Sequence, residues 1–442
     1  MLDHLKKRDI ISIGFMTFAF YIGAGNIIFP PLTGFYAGEN IFLVSLGFLC
    51  TGVGLPLLTL LAVAKAGGDL TSMTKNTLPK LGIFLSMIVS LVIGPLFANP
   101  RTALVSYEMF IPVFGVNNDR DFLLLYSIIF YIFVTLAALK PSTLIDLIGK
   151  VLTPVFLILL CFVGFYSLLF PINSLQMPYI GWEENPFIRG FIDGYSTMDA
   201  LASLLFGKLI IDLISARHVK DKKLLSKYII YSGLITAVLM SLVYSSLFYL
   251  GAVNSSLFTD IEGINGAKLL STYFQYSFGY AGILLQAVIM FLACFTTALG
   301  LTTSLANFFT QYTQKWGIGY VHWVFISGIV SVAVSYIGLT ELMSWLVPVL
   351  LVLYPLTMIL TVYSLINHYI GDTQYNIMIF VIIGAVNGLL NALFYLNLIP
   401  ENMVNFLMTW LPLFKETLSW LPMLVIAIIL ILMSNCFRIK KV

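Results

Sequence analysis

The sequence contains 442 residues, of which 60% are hydrophobic and only 10% are charged. Because soluble domains carry about 25% charged residues, this composition excludes a soluble protein and predicts an all-α integral membrane protein. The small net charge of +3 gives no reason to expect a nucleic-acid partner, so the expected surroundings are a lipid bilayer. The cysteines lie in or beside apolar runs without C-x-x-C spacing, which favours small buried side chains over a disulfide or metal site: Cys50, Cys161, Cys294 and Cys436.

The first apolar run, Ile10 to Thr33, has the length of a spanning helix but a poor helical centre. Gly23 and Gly25 each cost up to about 1 kcal/mol relative to alanine. Asn26 follows, and Pro30-Pro31 remove two backbone donors. Because freed backbone groups in lipid must be satisfied by protein or a polar cavity, we predict one helical half before Gly23 and another from about Asn26. The alternative is an unbroken helix whose glycines form a packing face.

A broken helix of this kind provides a binding site. Carbonyl groups at the end of its first half can hold a cation, and N–H groups at the start of its second half can hold a carboxylate. Secondary transporters form their substrate and ion sites from such discontinuous helices. The run therefore indicates a transporter.

Twelve transmembrane spans are predicted. The basic start at Lys6-Lys7-Arg8 is similar to that of a signal peptide, but the long run has no small-residue cleavage site and is predicted to be retained. Thr259 to Phe278 is expected to form an outer loop with a short helix after Asn265, and Asn402 to Lys415 an interfacial segment. The spans are Ile10–Thr33, Ile41–Ala64, Leu78–Phe110, Phe122–Leu139, Thr143–Phe170, Phe187–Ser215, Tyr228–Val253, Tyr280–Gln311, Tyr320–Ile337, Glu341–Tyr369, Tyr375–Asn397 and Leu418–Phe437.

The basic residues support this layout with both termini in the cytoplasm. Arg101 and Lys208 fall within spans, and the other Lys and Arg residues lie almost entirely inside, as the positive-inside rule expects. The exceptions on the outer side are Arg120, Arg189, Lys268 and Lys415.

The sixth span is also interrupted, by Asp193-Gly194 and the polar cluster that follows. Spans 1 and 6 run in opposite directions, which predicts two inverted repeats of five spans, at residues 1–175 and 176–370. Residues 371–442 would then hold two peripheral spans. The repeat is inferred from topology, because no similarity between the halves is visible in the sequence.

Four stretches together resemble one family. They are GFMTFAFYIGAGNIIFPP, GPLFANPRTALVSYE at Gly94 to Glu108, DGYSTMDALASLLFG at Asp193 to Gly207, and ACFTTALGLTTSLANFF at Ala293 to Phe309. The chain is identified over nearly its whole length as similar to the bacterial branched-chain amino acid carriers of the BrnQ type. This resemblance implies cation-coupled uptake of leucine, isoleucine and valine across the bacterial cytoplasmic membrane, with a fold of the LeuT type.

The resemblance also implies a sodium site. In LeuT-like transporters a Gly-x-Gly-Asn motif on helix 1 and an Ala-x-x-Thr-Ser/Thr motif on helix 8 accompany a sodium ion. The matching ligands here are the carbonyls of Ala19, Ile22 and Ala293 and the hydroxyls of Thr296 and Thr297. Oxygen ligands suit a hard cation, although threonines within helices often bond to their own backbone instead. The Phe-Pro after the first motif comes sooner than in LeuT, which leaves the geometry beyond Asn26 open.

A zwitterionic substrate needs no charged partner if the helix ends serve it. Its carboxylate would meet N–H groups near Gly25 to Ile27, and its ammonium would meet carbonyls at both breaks. An aliphatic side chain would be enclosed by Phe20, Tyr21, Phe97 and Leu204. The predicted substrate-binding residues are Gly23, Ala24, Gly25, Asn26, Tyr195, Ser196, Thr197, Met198 and Asp199.

Asp199 is the strongest single candidate for a functional residue, because carboxylates within membrane spans are functional candidates by default. It could face a cation, face the ammonium, take a proton, or be a structural partner of the broken backbone. Arg101 and Glu108 are expected toward the outer end of span 3, as an outer gate or as stabilising residues. Lys208 and Asp212, four apart, are expected to pair with each other.

The two rival classes of protein are a membrane-embedded enzyme and a channel or sensor. A membrane enzyme is disfavoured because the histidines lie at or near span ends and no HExxH motif is present. No nucleotide-binding GxxxxGK[ST] motif is present either, so primary pumping is disfavoured and no cofactor beyond the coupling ion is expected. A channel or sensor on the same scaffold, a proton-coupled carrier and a carrier of other neutral amino acids remain alternatives.

Overall fold

The computed structural model describes residues 5–115, 119–140, 148–217, 219, 221–258 and 264–439. No strand occurs within these ranges, so this part of the chain is all-α. Numbered in chain order, its helices are α1 Lys7–Tyr21, α2 Ala24–Ala37, α3 Ile41–Leu49, α4 Leu55–Ala66, α5 Leu70–Met73, α6 Pro79–Leu91, α7 Ala98–Phe114, α8 Arg120–Ala138, α9 Thr153–Leu169, α10 Pro186–Asp193, α11 Asp199–Ala216, α12 Lys222–Ala252, α13 Gly266–Thr313, α14 Tyr320–Ser335, α15 Leu339–Ile370, α16 Gln374–Tyr395, α17 Glu401–Trp410 and α18 Trp420–Ile439.

Eight helical stretches among the described residues are long and apolar enough to cross a membrane, and two shorter apolar helices, at Tyr320–Ser335 and Trp420–Met433, accompany them. The chain is therefore a multi-pass membrane protein. Spans 1 and 6 do not appear among these stretches as separate crossings. The first part of span 1 is the 15-residue α1, and its second part continues into the stretch Ala24–Ala66. In span 6, the 18-residue α11 carries three charged residues, Asp199, Lys208 and Asp212. The exact number of crossings stays a prediction.

The two predicted breaks are present. α1 ends at Tyr21 and α2 begins at Ala24, two residues before the predicted restart. Pro30 and Pro31 lie inside α2 rather than at its start. Between α10 and α11 the chain forms a 3₁₀ turn at Gly194–Thr197.

Span 3 was predicted as one continuous helix, and this is wrong. A π-helical turn at Val92–Leu96 separates α6 from α7, with a non-helical backbone at Gly94, and α7 extends to Phe114. In α13 the backbone is non-helical at Gly279, which divides an outer helix capped by Asn265 from the long predicted span. Cys294 is buried as expected, but Cys50 and Cys161 are exposed.

The broken helices lie in the middle of the bundle. α1 packs against α11, α12 and α13, and α2 packs against α12 and α13. Each half of the first broken helix is hydrogen-bonded to one half of the second broken helix. The Tyr21 and Ser203 hydroxyls, 2.7 Å apart, link α1 to α11, and the Thr33 hydroxyl donates to the Asp193 carboxylate (2.8 Å), linking α2 to α10.

Candidate functional site

The first break is built around Gly23 and Asn26. Ile22 has a ψ of 81°, which turns the chain out of α1, and Gly23 is extended. The Gly23 N–H donates to the Tyr21 carbonyl (2.7 Å) and lies 3.3 Å from Asn26 Oδ1. The opening N–H groups of α2 have no preceding turn of carbonyls to bond, so they are available to an anion.

Asp199 connects the two breaks. It is the first residue of α11 and only 3% exposed. Its Oδ2 accepts hydrogen bonds from Asn26 Nδ2 (2.5 Å) and the Tyr244 hydroxyl (3.1 Å), and Asn26 also donates to Tyr244. The residue before it, Met198, has a left-handed backbone with φ of 67°. Strained backbone of this kind persists where the surrounding structure fixes it, and it concentrates at functional sites.

Arg101 also lies at the breaks, which corrects its expected place toward the outer end of span 3. It is 4% exposed. Nη1 donates to the carbonyl of Ser196 (2.7 Å) and Nη2 to that of Thr197 (3.2 Å). The central site therefore contains a counter-charge that was not predicted from the sequence. The carbonyls predicted for the ammonium at the second break are occupied by this guanidinium.

The residues of the expected sodium site converge. The Thr296 hydroxyl lies 3.1 Å from the Ala19 carbonyl and 3.0 Å from the Ala293 carbonyl, and the Thr297 hydroxyl lies 3.4 Å from the Ala19 carbonyl. Thr296 thus bonds to its own helix, as the alternative held, and also reaches across to α1. Ala19, Ala293, Thr296 and Thr297 therefore bring hydroxyl and carbonyl oxygens close together, the type of ligand that hard cations prefer. That they bind an ion stays a prediction. Ile22 directly follows α1 at the break itself, and its carbonyl as an ion ligand stays a prediction.

A small cavity lies between the breaks, with a volume of about 20 Å³. This volume holds roughly one water-sized particle, so an amino acid can enter only if the surrounding groups move. Gly25, Tyr195 and Ser196 do not line the cavity, and the predicted apolar walls Phe97 and Leu204 do not either. The lining residues are Phe20, Tyr21, Gly23, Ala24, Asn26, Ile93, Ala98, Arg101, Thr102, Thr197, Met198, Asp199, Ala202, Phe206, Thr297 and Leu301.

Phe206 is an apolar residue of the cavity wall that was not predicted from the sequence. Its ring lies 5.4 Å from the rings of both Phe20 and Tyr21. Tyr195 stacks instead on Tyr354, with ring centroids 4.2 Å apart. A helical period from Asp199 would have placed Phe206 two turns further along the same face of α11.

A second buried polar cluster was not identified from the sequence. Asn99 Nδ2 lies 3.2 Å from the hydroxyls of both Thr302 and Ser331, and the Tyr131 hydroxyl donates to the Asn99 carbonyl (2.5 Å). The sequence of α14 does contain an indication of this cluster, because Ser327 and Ser331 are spaced so that both lie on one face of the helix. The cluster fastens the start of α7, and with it Arg101, to three neighbouring helices.

The remaining charged candidates have local partners. Asn265 donates to Glu108 (3.3 Å), so this carboxylate binds the outer part of α13. Lys208 and Asp212 pair at 2.5 Å, as predicted, on a partly exposed face. Across the described ranges, no group of three or more His, Cys, Asp or Glu side chains is arranged to hold a metal ion.

Comparison with known sequences gives a family match over nearly the whole chain. The model of the branched-chain amino acid transport protein family matches residues 6–438. The branched-chain amino acid transport system 2 carrier protein of Pseudomonas aeruginosa is 38% identical, with 99% of this chain and 98% of the relative covered. The branched-chain amino acid permease BrnQ of Escherichia coli is 37% identical, with 97% and 96% covered.

Solved structures with a similar fold are also transporters. One belongs to the nucleobase-cation-symport-1 family and was solved closed with bromovinylhydantoin bound; the TM-score is 0.60 at 14% identity, with 98% of this chain and 93% of that one covered. Another is the manganese transporter of Eremococcus coleocola, with a TM-score of 0.53 at 14% identity and 96% and 94% covered. At such low identity the likeness concerns the fold alone.

Proposed function

Because the chain belongs to the branched-chain amino acid transport protein family, we propose that it imports leucine, isoleucine and valine together with sodium by alternating access. The bacterial relatives are named as carriers and permeases of branched-chain amino acids. The proposed setting is the bacterial cytoplasmic membrane, with twelve spans and both termini in the cytoplasm. Residues 1–175 and 176–370 would be the inverted repeats of a LeuT-type fold, and 371–442 the peripheral part.

One observation supports this proposal most strongly. The two broken helices meet, and oxygen atoms of four of the five expected ion ligands lie close together, those of Ala19, Ala293, Thr296 and Thr297. Thr297 lines the same cavity as Asn26 and Asp199. A sodium ion among Ala19, Ala293 and the two threonines would hold α1 against α13. It would thereby stabilise the wall of the substrate site.

The substrate would enter as a zwitterion with an apolar side chain. Its carboxylate would meet the N–H groups that open α2, near Gly25, and its side chain would contact Phe20, Tyr21 and Phe206. An apolar pocket separates substrates that differ by one methylene by only about 1–3 kcal/mol. The three branched-chain amino acids are therefore expected to share the site.

Sodium entry supplies enough free energy for accumulation. One monovalent cation moving down 100 mV releases about 2.3 kcal/mol, and a tenfold concentration gradient adds about 1.4 kcal/mol. Together these terms sustain a several-hundred-fold gradient of a neutral zwitterion, at about 1.4 kcal/mol per factor of ten.

The proposal is tested by equilibrium binding of leucine at varied sodium concentration. Sodium and leucine must raise each other's affinity by the same factor. Changing both Thr296→Val and Thr297→Val nearly preserves volume but removes two ligands. We expect the sodium concentration for half-maximal leucine binding to rise by about tenfold or more, equivalent to about 1.4 kcal/mol.

The matched control is Thr303→Val, about two turns further along α13. Thr302 is unsuitable because it bonds to Asn99. A double variant with wild-type sodium dependence would refute the ion site. Proton coupling is the second candidate, because the Asp199 carboxylate is buried at the site. Leucine affinity that changes with pH but not with sodium concentration would support it.

A further inference from the structure

Arg101 is a buried cation whose hydrogen-bond partners are backbone carbonyls. Its bonds to Ser196 and Thr197 cap the end of the 3₁₀ turn that follows α10. Its Nε is buried and finds no partner among the described residues. A helix end of this kind carries partial negative charge, so the guanidinium occupies a place that any small cation would favour.

The guanidinium nitrogen that bonds to Thr197, Nη2, also lies beside the start of α2. A Cβ atom added at Gly25 would lie 2.6 Å from Nη2, so the group touches the backbone where a carboxylate is expected. The ring of Phe29 lies 5.5 Å from the guanidinium carbon and provides a cation–π contact. Arg101 therefore lies between the two helix termini that a zwitterion would use.

Arg101 makes no ion pair with a carboxylate in the ranges that the structure describes, although Asp199 lines the same cavity. The Asp199 carboxylate accepts hydrogen bonds from Asn26 and Tyr244 instead. A guanidinium pairs best with a carboxylate through two parallel hydrogen bonds. The site thus holds a bidentate carboxylate-binding group without its preferred partner.

We propose that Arg101 binds the substrate α-carboxylate and that the substrate ammonium replaces it at the carbonyls of Ser196 and Thr197. This inference rests on the proposed function, since the ligand is a zwitterionic amino acid. In the exchange, each charged group leaves one partner and gains another. Departure of the guanidinium from the 3₁₀ turn also enlarges the cavity, which otherwise holds roughly one water-sized particle.

The exchange makes the site selective for zwitterions. A ligand without an ammonium would release Arg101 but leave two carbonyls without a donor. A ligand without a carboxylate would displace Arg101 without giving it an acceptor. Sites that leave buried polar groups unpaired reject such analogues strongly.

The test measures equilibrium binding of three probes to the purified full chain in sodium: leucine, its α-keto acid and isoamylamine. Wild type is expected to bind leucine and neither analogue tightly. In Arg101→Gln, whose amide can still donate to one carbonyl, the leucine preference over isoamylamine should fall by at least about tenfold. The exposed Arg120→Gln is the control and should keep the wild-type profile.

The outcomes separate this inference from the proposed function. Absence of leucine binding in wild type would refute both. Wild-type binding with an unchanged preference in Arg101→Gln would refute the exchange alone and leave Arg101 a structural cap.

If Arg101→Gln does not fold, Arg101→Lys decides, because lysine keeps the charge but lacks the bidentate fork. Leucine affinity is then expected to fall by at least about tenfold while isoamylamine binding stays the same. Unchanged leucine affinity in Arg101→Lys would overturn the proposal.

Discussion

At the scale of single residues, the central site is a set of buried polar groups that satisfy one another across the two breaks. Asn26 accepts from its own helix start and donates to Asp199 and Tyr244. Arg101 completes the set with a positive charge. Because buried polar groups are costly when unpaired, small steric or charge changes here should have specific effects on transport.

Gly23 lies against Thr297, and replacing Gly23 by alanine tests that contact by adding a methyl group there. A Cβ atom at Gly23 would lie 2.8 Å from Thr297 Oγ1, while its φ of −112° allows alanine, so the effect is steric. We expect Gly23→Ala to raise the sodium concentration for half-maximal leucine uptake by about tenfold, or about 1.4 kcal/mol.

The control is Gly319→Ala at the start of α14. Gly319 has a similar extended backbone, and nothing lies within 4 Å of an added Cβ. Its sodium dependence should match wild type. Equal sodium dependence in Gly23→Ala and wild type would contradict the contact between the break and the ion site.

Asp199→Asn separates charge from hydrogen bonding. The amide oxygen can still accept from Asn26 and Tyr244, but the charge that balances Arg101 is lost. We expect the free energy of unfolding to fall by about 2 kcal/mol and leucine uptake to fall with it.

Thermal unfolding and uptake of the double variant Asp199→Asn with Arg101→Gln provide the check. Removing both charges should restore stability without restoring uptake. A single Asp199→Asn variant with wild-type stability would show that the two charges are not energetically coupled.

The sequence predicted some of these residues and missed others for a physical reason. Gly23, Asn26 and Asp199 stand out because polar and helix-breaking residues are expensive in an apolar run. Arg101 was misplaced because its position depends on the kink at Gly94 and on a long side chain. Neither feature can be read from spacing along a single helix.

Among the helices, the interruptions lie at glycines, next to polar residues or proline. The breaks in spans 1 and 6 were predicted to within a few residues from glycine and polar clusters. The π turn in span 3 was not, because Gly94-Pro95 within an apolar run is also compatible with a simple kink.

Gly279 allows a direct test of one such break. Its φ of 59° and ψ of −142° lie in a region that only glycine occupies readily, and no atom lies within 4 Å of an added Cβ. We expect Gly279→Asn to lower the free energy of unfolding by about 1–3 kcal/mol, measured by thermal unfolding, without changing leucine affinity.

The matched control is Gly67→Asn at the end of α4. Gly67 has a φ of 75° and ψ of 23°, a left-handed conformation that asparagine tolerates, and it too has space for a side chain. This variant should lose at most about 1 kcal/mol. Equal losses in the two variants would show that backbone strain at Gly279 is not what separates the outer helix from the span.

At the scale of the whole molecule, composition and charge placement predict a layout that impermeant labelling can test. Ile180 is 98% exposed on the predicted outer side and Trp316 is 76% exposed on the predicted inner side. On a cysteine-free background, we expect Ile180→Cys to react with an impermeant maleimide in intact cells. Trp316→Cys should react only after permeabilisation, and the reverse pattern would invert the topology.

Sodium is proposed to drive the import of branched-chain amino acids. The most direct measurement is leucine uptake by purified protein in liposomes, with sodium, lithium and proton gradients imposed separately. We expect an inward sodium gradient to accumulate leucine above its outside concentration, and a proton gradient at equal sodium to allow equilibration only. Accumulation driven by protons with sodium equal on both sides, or no accumulation under a sodium gradient, would contradict sodium coupling.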